Sequence, residues 1–505
     1  MREHLETFLA ETRRRGNGDG LPRFVERELR AFLRCGELAA GFARFRCAGC
    51  AREILVAFSC KGRGFCPSCG GRRMGERAAH LVDGVFGDLP VRQWVLTLPH
   101  RLRYALAYDH RLCRAVLAVF VRALLAFERR RWRARGLVGR AGAVTAIQRC
   151  GSALNTNIHF HTLVAEGIFA ERPDGAQRFV PAPAPPSDLD VARLLTAVRR
   201  RIVRLARRHG IDLDGAQDEG QRDRLALDAP VLAAIQGASV LGRVATGPRA
   251  GHWVMRLGSD PTAPLVSSGG PRHAHRQGFD LHANVAVRAG DRRRLEHLCR
   301  YVLRPPVAQD ALTLTSQGQV LLRLRRPWRD GTRAIRFEPS ELLEELAAMI
   351  PRPRANLLIY HGAFAPRGCY HEHAGRSRPP ASACPRPSPA PEAAGAPSAG
   401  PAGAPTPAGH DAPPLAVDRP PAAPRGPPPP AAYVRPRHVA WAELLRRTFA
   451  IDVLGCPDCG GRLRLVATIA DRRVIETILA HLGLPLALPS PAPARAPAWL
   501  SEWPD

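Results

Sequence analysis

NTNIHFHTLV, residues 155–164, alternates side chains with the two-residue period of a half-buried strand. Residues i and i+2 of an extended chain share a face, so His159 and His161 project together, with Asn157 and Leu163 beside them. Ile158, Phe160, Thr162 and Val164 face the other way, toward a core. Two adjacent imidazoles are half of a divalent-metal site. Satisfied structural histidines are the plainer alternative, because 18 histidines give about 0.6 His-x-His triplets by chance. Two further triplets occur. His273-Ala274-His275 reads as a polar, arginine-flanked loop, and His371-Glu372-His373 borders a proline-rich tract. Only the first lies in a clear strand pattern.

Gly151–Leu154 suits a turn that pairs Val144–Arg149 with the histidine strand. Val91–Leu98 and Phe279–Val287 are further strand patterns, and Glu76–Phe86, Leu102–Arg135 and Val191–Arg208 read as helices. Asp291 caps a helix that reaches Arg304 and stops at Pro305-Pro306. On it Leu295, Leu298 and Val302 form an apolar stripe, and His297 and Tyr301 are i, i+4 neighbours on the adjacent face. A tyrosine at such a border is usually packing; a paired-histidine strand upstream gives it a second reading. The elements read as mixed helix and strand, an α+β fold.

Cys47-x-x-Cys50 and Cys66-x-x-Cys69 are separated by 15 residues. Two such knuckles can supply the four thiolates of a structural zinc site. Cys60 and Cys35 could each replace a ligand or pack inertly. Lys61, Arg63, Arg72 and Arg73 surround the knuckles and form a candidate DNA contact, or a solvated face. Cys456-x-x-Cys459 is half a site with no second pair nearby, and dimerisation could complete it.

The 505 residues exceed one compact core. Four zones are expected: a zinc-binding module at 1–75, a mixed helix-and-strand domain at 76–373, a disordered linker at 374–432 holding 19 of the 48 prolines, and a small C-terminal domain at 433–505. The net charge of +29 rests almost wholly on arginine, since Lys61 is the one lysine. Codon bias can enrich arginine, but it does not leave acids so outnumbered. A polyanionic partner explains the excess. No leader pattern is evident, and the most apolar helical stretch, Ala115–Phe127, is 13 residues long with Arg122 inside it. A bilayer span takes about 20. A cytoplasmic, nucleoid-associated protein without a membrane partner is expected.

Several segments together resemble one family. QRCGSALNTNIHFHTLV (148–164), FDLHANVAV (279–287), RYVLRPPVA (300–308) and FSCKGRGFCPSCGGRRM (58–74) are similar to rolling-circle insertion-sequence transposases of the HUH endonuclease superfamily, in the branch with an N-terminal zinc-binding domain. RRPWRDGT (325–332), HGAFAP (361–366) and FAIDVLGCPDCGGRLRLVATI (449–469) extend the likeness over nearly everything except the linker. The resemblance implies an HUH-type antiparallel sheet with flanking helices, the histidines on a central strand and the tyrosine helix packed near its face, in which His159 and His161 hold Mg²⁺ or Mn²⁺. It implies that Tyr301 attacks single-stranded DNA at element ends, leaving a 5′-phosphotyrosine and a free 3′-OH. For the third ligand that such sites usually take, Gln148 is the first choice and His282 the second. Some relatives carry two tyrosines one helical turn apart; here those positions hold His297 and Pro305, so a single nucleophile is expected, reused or paired with that of a second subunit. A non-catalytic zinc-dependent DNA binder, and a relaxase or replication initiator with the same chemistry, are the competing readings.

Overall fold

The computed structural model describes residues 1–171, 177–213, 224–259, 270–366, 441–449 and 451–495. Every described residue belongs to one unit by internal contacts. The expected linker at 374–432 and the triplet His371-Glu372-His373 lie outside the described residues.

The histidine strand, Thr156–Ala165, lies in the middle of a seven-stranded antiparallel sheet. Across that sheet run His273–Arg276, Phe279–His282, Val91–Thr97, Thr156–Ala165, Gly142–Cys150 and Leu358–Gly362, and Ala286–Val287 also pairs with Val91–Thr97. One face buries Trp94, Leu96, Phe160 and Val164 against the helices His110–Arg133 and Asp188–Arg208, through Phe120, Leu124, Val198 and Ile202. Phe160 is fully buried, and truncating such a side chain to Ala costs about 3–5 kcal/mol. The opposite face packs Val144, Ala146 and Leu163 against Val82, Phe86 and the tyrosine helix, Arg292–Leu303, through Leu295, Leu298 and Val302. The architecture is therefore mixed α+β with antiparallel sheets. A second core joins the helices Leu5–Arg15, Arg23–Phe32, Pro230–Leu241 and Pro339–Met349 to a four-stranded sheet.

Local chemistry explains where elements depart from expectation. The stretch 102–135 breaks into His100–Tyr108 and His110–Arg133, because the Asp109 carboxylate accepts from the Arg111 and Leu112 N–H groups and starts a new helix. His273–Arg276 is an edge strand rather than a loop. Gln277 and Gly278 both have positive φ, 47° and 76°, which is the backbone of a tight two-residue hairpin onto Phe279–His282. Strand character stops at His282 and resumes at Ala286–Val287.

The N-terminal module is a three-stranded sheet whose middle strand, Phe42–Cys47, pairs with Glu53–Ala57 on one side and with Leu463–Ile469 on the other. Phe42 packs with Ile469, and with Ile475 and Leu479 of the helix Arg472–His481. The residues expected as a separate C-terminal domain thus complete the N-terminal sheet and share its core. Among the described residues no helix is long and apolar enough to cross a membrane.

Candidate active site and cysteine clusters

Strand register builds the site. Gln148 lies opposite His159 and Ala146 opposite His161 on one side; Thr97 and Val95 lie opposite them on the other. The His159 and His161 rings sit with centroids 4.9 Å apart. The Tyr301 ring meets His161 edge-on, with a centroid distance of 6.0 Å and an interplanar angle of 82°. The Arg304 guanidinium lies 4.8 Å from the Tyr301 ring centroid. These four side chains line one cleft of about 620 Å³, together with His282 and His297. Tyr301 is 38% exposed within it, open enough for a polymer to reach.

Both imidazoles are held neutral. Burial pushes His159 down to about 4, against the raising effect of its bond to the Asn157 carbonyl, and Arg103 and Arg304 push it the same way as burial. Burial holds His161 well below the ordinary value, helped by His159 and Arg304. Neutral imidazole is the metal-binding form. His159 Nδ1–H donates to the Asn157 carbonyl at 2.8 Å, which leaves the Nε2 lone pair free. The amide of Gln93 meets Nδ1 of His161 at 2.6 Å. Turned so that its oxygen accepts from Nδ1–H, it leaves Nε2 of His161 free in the same way. Gln148 Nε2 donates to the Val302 carbonyl of the tyrosine helix at 2.7 Å, so its oxygen is the end left for another partner. Asn157 Oδ1 is buried without a hydrogen-bond partner, an acceptor the fold leaves open. His282 lines the cleft but stands beside His273, rings 6.2 Å apart, and Asp280.

The cysteines regroup. Among the described residues two sets of four thiols come together, Cys35, Cys60, Cys66 and Cys69, and Cys47, Cys50, Cys456 and Cys459, each set within 4.8 Å. Sulfur pairs stand 3.6 Å (Cys35–Cys66) and 3.5 Å (Cys60–Cys69) apart in the first, and 3.5 Å (Cys47–Cys459) and 3.6 Å (Cys50–Cys456) in the second. Tetrahedral zinc thiolate puts sulfurs about 3.8 Å apart. The spacing-based set Cys47, Cys50, Cys66 and Cys69 is therefore not brought together. Each knuckle finds another partner, and Cys35 and Cys60 are members of a set rather than alternates. The reason is the Phe42–Cys47/Glu53–Ala57 hairpin, which carries Cys47 and Cys50 at its turn, toward the C-terminal strand.

A family model described as “Transposase zinc-binding domain” matches residues 1–98, and one described as “Putative transposase” matches residues 142–372. The chain belongs to the IS91-type transposases. No curated protein and no solved structure matches it. The matches make this transposase a DNA-processing enzyme by family and give zinc to its N-terminal module.

The basic residues around the first cysteine set divide by role. Lys61 and Arg72 are exposed. Arg73 donates to the Gly62 carbonyl and Arg63 to that of Ala355, so these two brace the knuckle. Sequence patterning missed Gln93, Asn157 and Arg304 as site residues. Asn157 and Arg304 carried a signal, since they flank the histidine pair and the tyrosine; Gln93 carried none, because only strand register brings it to His161.

Proposed function

We propose that this transposase nicks and rejoins single-stranded DNA at insertion-sequence ends through a 5′-phosphotyrosine, in the rolling-circle manner and on an HUH-type sheet. The observation that carries the proposal is the meeting of Tyr301 with His159 and His161 in one open cleft. The phenolic oxygen attacks phosphorus, the P–O3′ bond breaks, and the proton lost by the phenol is balanced by the one the 3′ oxygen gains as a hydroxyl. The phosphodiester survives as the tyrosyl ester, so rejoining by a 3′-OH needs no nucleotide triphosphate. Arg304, beside the tyrosine ring, and Arg294, also lining the cleft, stabilise charge that grows on the phosphate oxygens.

The residues fit a divalent cation. His159 and His161 would hold it through Nε2, with the oxygen of Gln148 or the open Asn157 Oδ1 completing the set. Among the described residues no third His, Cys, Asp or Glu joins the two histidines, so the remaining donors are amide oxygens. When bound, Mg²⁺ or Mn²⁺ supplies Lewis acidity at a phosphate oxygen. Asn157 fixes the tautomer of His159, and Gln93 orients the ring of His161.

A stacking track beside the cleft suits single strands. Ser152 lines the cleft and accepts from Trp328 Nε1 at 3.0 Å. Arg256 lies 5.2 Å from the Trp328 ring and 6.0 Å from that of Trp253, and Arg243 lies 4.9 Å from the Trp253 ring. Aromatic rings alternating with guanidinium groups bind unpaired bases and their phosphates. The test incubates the protein with single-stranded element-end oligonucleotides and Mn²⁺ and looks for an SDS-stable protein–DNA adduct. Tyr301→Phe should abolish the adduct and leave DNA affinity within about twofold. A wild-type protein that binds these oligonucleotides but forms no adduct with any of them is a DNA-binding protein only.

A further inference from the structure

Cys50 and Cys456 are 406 positions apart in sequence, yet their sulfurs lie 3.6 Å apart. The second set of thiols has the other marks of a metal knuckle. Gly49 N–H donates to Cys47 Sγ and Gly461 N–H to Cys459 Sγ, both at 3.4 Å. A Cβ on Gly461 would stand 3.1 Å from Cys459 Sγ and 3.2 Å from Cys47 Sγ, so only glycine leaves the sulfurs their space. Arg52 and Asp458 form an ion pair at 2.8 Å from one knuckle to the other. All four cysteines are free thiols.

This pairing fixes the C-terminal segment just beyond the helix Trp441–Phe449, and that helix touches the tyrosine helix directly. Arg447 meets Glu296 at 2.9 Å and Asp83 at 2.5 Å. Arg300 donates to the carbonyls of Thr448 at 3.0 Å and Arg447 at 2.6 Å. Glu296 and Arg300 belong to Arg292–Leu303, and Arg300 adjoins Tyr301. The helix Trp441–Phe449 also packs closely on the helix Pro67–His80: a Cβ on Gly75 would stand 2.6 Å from Thr448 Oγ1. We infer that Cys47, Cys50, Cys456 and Cys459 bind a second zinc ion in cis, and that this ion is a clasp holding Arg447 against the tyrosine helix, with Arg447 as a positioning residue for Tyr301. The metal closes a loop spanning the whole catalytic sheet, and a closure that long carries a large entropic cost in the unfolded chain. The site does not depend on the strand-transfer reading, because its metal content and its local protection are measured without DNA.

The experiment compares the full-length protein with Cys456→Ser/Cys459→Ser and with Arg447→Ala, by zinc content and by hydrogen exchange. The wild type should carry two zinc ions per chain, one for each set of thiols. The double variant should carry one, with amide exchange across Arg292–Leu303 about tenfold faster and exchange in His110–Arg133 unchanged. Arg447→Ala should keep both ions and still speed exchange across Arg292–Leu303. In an active preparation it should also slow adduct formation without weakening DNA binding. One zinc in the wild type, or no loss of zinc in the double variant, overturns the site. Zinc loss with unchanged exchange in the tyrosine helix overturns the clasp. Should the double variant unfold more widely, Arg447→Ala decides, and unchanged exchange there counts against the inference.

Discussion

A histidine that is to grip a cation needs its second ring nitrogen occupied, or the ring turns and the lone pair points elsewhere. His159 solves this within its own strand, through the Asn157 carbonyl two residues back. His161 borrows Gln93 from the neighbouring strand. The two residues should therefore fail differently. Gln93→Leu should weaken Mn²⁺ affinity about 10–100-fold, as removal of an orienting partner does, while adduct formation recovers at saturating Mn²⁺. Isothermal titration of Mn²⁺ alongside the adduct assay checks both halves, and His159→Ala should not recover at any Mn²⁺ concentration. The shared face of His159 and His161 and the place of Tyr301 beside the apolar stripe of its helix were legible in the sequence because period two and the i, i+4 interval are local rules; the roles proposed for them came from the family resemblance. Gln93 was not, because it is 68 positions from His161 and reaches it only through strand register.

Elements show the same division. The histidine strand, its hairpin partner and the Asp291-capped helix follow from patterning and capping within single segments. Cysteine grouping does not, because it depends on which hairpin turn meets which distant strand. Cys66 immediately precedes the helix Pro67–His80 and Cys69 sits in its first turn, while a Cβ on Gly70 of that helix would stand 2.6 Å from Pro305, just past the tyrosine helix. The first thiol set thus anchors a helix that also packs against Thr448, in the segment the second set fixes. The start of the histidine strand has its own anchor: Thr156 N–H donates to Ser239 Oγ at 2.8 Å, and the Ser239 hydroxyl donates to Glu345. Burial raises Glu345 from 4.5 to about 8, against the bond from Ser239 and with Glu344 and Glu341 adding to the rise. A raised carboxyl favours the fold in its protonated form. That contribution is fully present below pH 4.5 and is lost as pH rises through about 8. Glu345→Gln should remove this dependence, so that the variant gains on the wild type in Tm between pH 6 and pH 8.5. Parallel Tm curves over that range would show that the carboxyl stays ionised in the fold.

At the scale of the whole molecule, charge and aromatic surface make separable contributions to DNA binding. The net charge of +29 predicts affinity that falls steeply with salt, whatever the sequence of the DNA. Exposed Arg72 belongs to that term, so Arg72→Ala should reduce the slope of log affinity against log salt by about one and weaken single- and double-stranded DNA alike. Trp253 belongs to the other. It is 56% exposed, lies between Arg243 and Arg256, and continues through Trp328 to Ser152 at the cleft. A paired base has no free face for an indole, whereas an unpaired base does. Trp253→Ala should therefore cost about 1–3 kcal/mol on single strands, a loss of about 5–150-fold, with little change on duplex and no change in salt slope. The guanidinium groups beside it remain, so a salt slope that fell with the tryptophan would mean the arginines depend on its ring for their position rather than flanking a stacked base. Fluorescence anisotropy with matched single- and double-stranded oligonucleotides at several salt concentrations separates the two. Equal losses on both DNA forms would remove the stacking track from the account and leave charge alone to bring the strand to Tyr301.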